Sequence, residues 1–126
     1  MQTGAIISFQ LSGNNNHTEV NRFCREFYGY KDKSNKGKYT YERKGILSKY
    51  PHIKIRRGLI VVRMEDTEKI TDILEKHNAD VFMREIILLH KDIEELNFMS
   101  KLILLHEGIQ GQNKIQNTNY LKDTME

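Results

Sequence analysis

From Lys36 to Lys44 the chain reads Lys-Gly-Lys-Tyr-Thr-Tyr-Glu-Arg-Lys, and Lys54-Ile-Arg-Arg57 follows it. These residue types suit a polyanion. Lys36, Lys38, Arg43, Lys44, Lys54, Arg56 and Arg57 offer cations to phosphates, while Tyr39 and Tyr41 offer flat rings on which bases can stack. In an extended backbone alternate side chains share a face, so Tyr39, Tyr41 and Arg43 project together and Glu42 points away. The sequence therefore points to DNA or RNA as partner, held by base stacking or by insertion of a basic two-stranded ribbon into a major groove. The competing reading is structural: tyrosines at a strand start often pack half-buried, and lysines on a hairpin often form a solvated edge.

Catalysis has a weaker footing. A metal-independent ribonuclease needs a base, an acid and cations around one phosphate, for which Tyr41, Glu42, Arg43, His52 and Arg56 are available. The alternation that turns Glu42 away from Tyr41 and Arg43 counts against that set, and no catalytic residue is assigned. His17, His52, His77, His90 and His106 are dispersed without ligand spacing, so no metal site is expected. Gly29, Gly37, Gly45 and Gly58 stand singly and form no phosphate-binding loop, so no nucleotide cofactor is expected either. Lys36-Gly37 before Tyr39-Thr40-Tyr41 faintly resembles the aromatic motif of RNA-recognition domains. The spacing carries an extra lysine and the motif falls on the second strand of the pattern, so that family is set aside.

Charge counted by segment sharpens the binding reading. Residues 31 to 63 hold eleven basic residues against Asp32 and Glu42, a net +9, which leaves −6 for the rest of a chain whose total is +3. An acidic body thus carries a basic segment, and such a molecule presents one face to polyanions. The lone Cys24 can form no internal disulfide, the first residues lack a signal-peptide pattern, and no run approaches the ~20 apolar residues of a membrane span. A cytoplasmic setting is expected.

The elements that must position these residues follow from periodicity. Thr3 to Leu11 alternates as a strand, and Val20, Phe23, Cys24 and Phe27 mark a helix from about His17 or Thr18 to Gly29. Tyr30 to Gly37, polar and lysine-rich, is expected as a mobile loop. Tyr39 to Leu47 and Ile53 to Arg63 are expected as the two strands of one long hairpin, with Gly58 as a bulge. A helix from Glu65 to Asn78 or Ala79, a strand from Val81 to Leu89 and a helix from Lys91 to His106 complete the pattern.

This order predicts an α+β domain over residues 1–108 with a ferredoxin-like βαββαβ antiparallel sheet and an additional C-terminal helix. The polar remainder, 109–126, is expected as a flexible, disordered tail. Apolar residues on both faces of the first and last strands require a cover for the second face. The stripe Ile93, Leu96, Met99, Leu102, Ile103 and Leu105 is the expected cover, from the same chain or from a second copy, so a homodimer is expected. A ligand-sensing or protein-interaction module built on such a dimer is the alternative function, on fold analogy alone.

Overall fold

The computed structural model of the chain describes residues 1–11, 16–34 and 37–114. It is a mixed α+β structure: β1 (Thr3–Leu11), α1 (His17–Tyr28), β2 (Gly29–Ser34), β3 (Tyr39–Lys44), β4 (His52–Arg56), β5 (Leu59–Arg63), α2 (Thr67–Lys76), β6 (Ala79–Ile87) and α3 (His90–Lys114). Short 3₁₀ turns occupy Ile46–Lys49 and Met64–Asp66. β4, β5, β1 and β6 form, in that order, an antiparallel sheet, while β2 and β3 pair only with each other.

Alternation decides which residues of β1 meet the helices. Ala5, Ile7 and Phe9 lie beside Val62, Ile60, Met83 and Val81 in the strand registers, and this face is buried. Phe23 and Phe27 of α1 and Ile70 and Leu74 of α2, each pair one helical turn apart, close over it. Phe9 meets Phe27 edge to face at 5.2 Å, and Phe23 and Phe27 stack at 5.6 Å. Each such side chain contributes roughly 1.5–3 kcal/mol by leaving water. Asn16 starts α1 by accepting the Glu19 N–H at 2.9 Å, and Asn78, at φ 62°, turns the chain from α2 into β6.

The opposite face of the sheet is covered in part by α3, which lies against β4. Val61 and Leu96 are buried there, apart from the main core. Arg63 fixes the packing: its Nε donates to Asp66 at 2.8 Å and its Nη1 to Ser100 of α3 at 3.3 Å. The cover anticipated for the second face is thus supplied within the chain along β4. α3 runs to Lys114, so helix occupies the first part of the expected tail, and 115–126 lie outside the described residues. Among the described residues no helix is long and apolar enough to cross a membrane.

Three expectations about the basic segment are corrected. Tyr30–Gly37 is not a loop throughout, because Gly29–Ser34 pairs with Tyr39–Lys44 in antiparallel register. Backbone hydrogen bonds hold this ribbon, and with both faces exposed it needs no apolar alternation to announce it. Tyr39–Leu47 is not one strand either: pairing stops at Lys44, Gly45 follows, and the 3₁₀ turn drives Leu47 into the core. Ile53–Arg63 is itself a hairpin rather than the partner of Tyr39–Lys44. Arg56 pairs with Leu59 across the two-residue turn Arg57-Gly58, and Gly58 takes φ +83°, so it is a turn residue and not a bulge; the irregularity in that pairing falls between Lys54 and Arg56.

Candidate nucleic-acid interface

The β2–β3 ribbon has two chemically different faces. Tyr30, Asp32 and Ser34 stand opposite Arg43, Tyr41 and Tyr39, so three tyrosines share one face. Lys31, Lys33, Thr40, Glu42 and Lys44 share the other. Tyr30, Tyr39 and Tyr41 are 39%, 48% and 51% exposed and lie outside the hydrophobic core. On their face Arg43 pairs with Asp32 at 3.3 Å, and Lys38 sits 5.6 Å from the Tyr39 ring centre.

The ribbon joins the body through two glycines in close contact. Gly29, at φ +85°, caps α1 by donating to the Arg25 carbonyl. A methyl group on Gly45 would overlap Gly29 N and the Phe27 carbonyl, so only glycine lets the strands cross here. This junction sets the ribbon beside the C-terminal half of α1 and the far half of α3.

Three clefts adjoin at the junction and share lining residues. The first, about 440 Å³, runs between the ribbon, the 3₁₀ turn and α3, and is bordered by Tyr30, Lys31, Lys44 and His52 with Met99 and Ile103. The second, about 570 Å³, lies along α1 and is bordered by Arg22, Arg25, Tyr30 and Lys44. The third, about 330 Å³, is bordered by Asn21, Arg25, Lys54 and Arg57 and contains no carboxylate. Arg25 lies over the Tyr30 ring at 4.9 Å, and Lys54 over the Tyr28 ring at 4.1 Å. Arg57 Nε donates to Cys24 Sγ at 3.1 Å, which holds the turn against α1.

Tyr28 is the support beneath this surface. Its hydroxyl accepts the Gly58 N–H at 2.8 Å while its ring packs on Phe27 and Phe9. Burial raises the phenol above its ordinary pKa, although the Gly58 hydrogen bond pulls the other way. The Gly58 carbonyl in turn accepts from Phe9 N at 2.8 Å, so the β4–β5 turn is held from both sides.

Of the residues assigned from sequence, Tyr39, Tyr41, Arg43, Lys38 and Lys44 share the ribbon, with Lys44 on the opposite face from Tyr39, Tyr41 and Arg43. Lys54 of β4 and Arg57 of the β4–β5 turn belong to a different hairpin and reach the surface beside α1, not as partners of the tyrosine strand. Arg56 is exposed and borders none of the three clefts. Lys36 lies outside the described residues. Glu42, Arg43 and His52 border one cleft, but His52 Nδ1 bonds the Tyr50 carbonyl at 2.9 Å, and neither Tyr41 nor Arg56 joins them there. Among the described residues no three His, Cys, Asp or Glu side chains gather to hold a metal ion.

Sequence reasoning missed Arg22, Arg25 and Tyr30. The helix carries Arg22 and Arg25 at i, i+3 on its polar side, a spacing that puts both on one face, but they precede the segment in which the charge was counted. Of the basic residues from 31 to 63, Lys36 apart, only Arg43 and Arg63 pair with a described carboxylate. The chain matches no protein-family model, no curated protein and no solved structure.

Proposed function

We propose that the protein binds nucleic acid in the cytoplasm, along a surface that runs from the β2–β3 ribbon over the edge of α1 to the β4–β5 turn. The observation that carries this reading is the convergence of Arg22, Arg25, Lys44, Lys54 and Arg57 from four elements on adjoining clefts, whose linings include Glu26 and Glu42 as their only carboxylates. Cations that served only solubility would be interspersed with acids, as they are on α2 and α3. Here cations outnumber acids along one surface; the phosphates of an anionic polymer would neutralise them, and the polymer would release its own counterions in doing so.

Around this surface the reading places a ferredoxin-like core. The strand order β4-β5-β1-β6 and the connections through α1 and α2 fit that arrangement, with the β2–β3 ribbon inserted between α1 and β4. It also includes a homodimer, because Phe98, Leu104 and Leu105 of α3 are 62%, 65% and 66% exposed.

The test is fluorescence-anisotropy titration of labelled DNA and RNA at two salt concentrations. Binding that weakens steeply with salt supports the reading, with a log–log slope that becomes shallower by about 1 for each phosphate contact removed. Replacing Arg25, Lys54 and Arg57 with glutamine should weaken binding far more than the same change at Lys69, Lys76 and Lys101. Equal loss from both triples would reduce the effect to net charge. No binding at low salt would overturn the proposal.

A further inference from the structure

We infer that the polymer taken by this surface is single-stranded, its bases stacking on Tyr30, Tyr41 and Tyr39 while a backbone phosphate sits between Arg25, Lys54 and Arg57. The inference rests on the nucleic-acid reading above and names its substrate class.

Spacing on the ribbon carries the argument. Tyr39 and Tyr41 are two residues apart on β3, about 7 Å along the strand. Tyr30, opposite Arg43, is diagonal to Tyr41 at about 7–8 Å, which extends the row. Bases within a duplex stand about 3.4 Å apart along each strand and have both ring faces covered by their neighbours. Rings at twice that spacing can receive only bases whose stack has been opened, as in an extended single strand.

Charge on the same face agrees. Arg43 and Asp32 neutralise one another between the rings, so the tyrosine face suits uncharged base surfaces more than phosphates. The strong cations stand at its rim. Arg25 covers Tyr30 at 4.9 Å and also lines the cleft with Lys54 and Arg57, so the stacking row and the phosphate seat meet at one side chain. Packing does not account for the tyrosines, since it is Tyr28 and Tyr50 that lie against the core.

The chain contains six tyrosines and no tryptophan, so stacking can be read directly from tyrosine emission. The full-length protein is titrated with oligothymidylate, with oligouridylate, and with the duplex of oligothymidylate and oligoadenylate, at one salt concentration. The expected result is quenching by the single strands and affinity at least tenfold above that for the duplex; the two single-stranded arms show which sugar is preferred. Tyr39→Ala and Tyr41→Ala should each weaken single-strand binding about five- to a hundredfold, with Phe at either position restoring it. Both residues are half exposed and outside the core, so loss of binding will not reflect unfolding. Duplex binding as tight as single-strand binding, or an alanine variant with unchanged affinity, overturns the inference and leaves nucleic-acid binding standing. Absence of binding to all three probes at low salt overturns both.

Discussion

Tyr28 couples the core to the β4–β5 turn, part of the proposed binding surface, through one hydroxyl. Tyr28→Phe leaves the Gly58 N–H without its acceptor and should cost about 1–2 kcal/mol in denaturant unfolding. The phenol also ties stability to alkaline pH. Its folded pKa is raised above the ordinary value of 10.0, chiefly by burial, so the neutral form is favoured in the fold. That contribution is complete below about pH 10 and is lost as pH rises through the folded value. Unfolding midpoints followed from neutral to strongly alkaline pH should fall more gently for Tyr28→Phe than for the parent; identical slopes would show that this phenol is not the source. Arg63 is the second critical residue. It satisfies buried Asp66 and reaches Ser100, and Arg63→Met should cost roughly 2–3 kcal/mol, below the range for a fully buried pair because the guanidinium is partly exposed. Asp66→Asn in the same background should recover part of the loss, since it removes the stranded charge.

Among the elements, the ribbon is attached by the Gly29–Gly45 crossing, which leaves no space for a side chain. Gly45→Ala must push the strands off the body, at about 1–3 kcal/mol by analogy with overpacked interiors. It should also weaken nucleic-acid binding even though no binding residue changes. Unchanged stability in urea would mean that the ribbon moves independently of the body. How far these elements could be read from sequence depends on what each one buries. β1, α1, α2 and β6 each present a face to the core, and their periods of two or 3.6 are visible in Ala5/Ile7/Phe9, Phe23/Phe27 and Ile70/Leu74. None of the described side chains of β2 is buried, so Gly-Tyr-Lys-Asp-Lys-Ser has no period and resembles a loop. The β4–β5 turn was hidden because apolar residues stand on both sides of Arg57-Gly58, and a positive φ at Gly58 cannot be told from a bulge by composition. The candidate site was legible to the same extent. Counting charge along the chain found Lys54 and Arg57, whereas Arg22 and Arg25 joined them only once α1 had folded against the β4–β5 turn.

At the scale of the whole molecule, α3 has more apolar surface than its own sheet can cover. Leu96 faces Val61's side of the sheet, while Phe98 and Leu105, seven residues apart on one outward face, are 62% and 66% exposed. A helix apolar on both sides calls for a second partner, and a twofold axis lets the same face satisfy itself in a second copy. The protein should therefore sediment as a dimer. Phe98→Glu with Leu105→Glu should convert it to a monomer of unchanged or higher stability, because neither side chain contributes to the core. Sedimentation of the parent as a monomer at high micromolar concentration would remove the basis for this assembly. A dimer would also bear on the proposed binding: two basic surfaces on one particle would hold a single long strand at two places, and the second contact would gain from a high local concentration. The monomeric variant should then keep the parent's affinity for an oligonucleotide that fills one surface, yet bind a strand several times longer at least tenfold more weakly. If both lengths lose affinity equally, the substitutions have damaged the surface itself, and if neither does, each protomer binds alone.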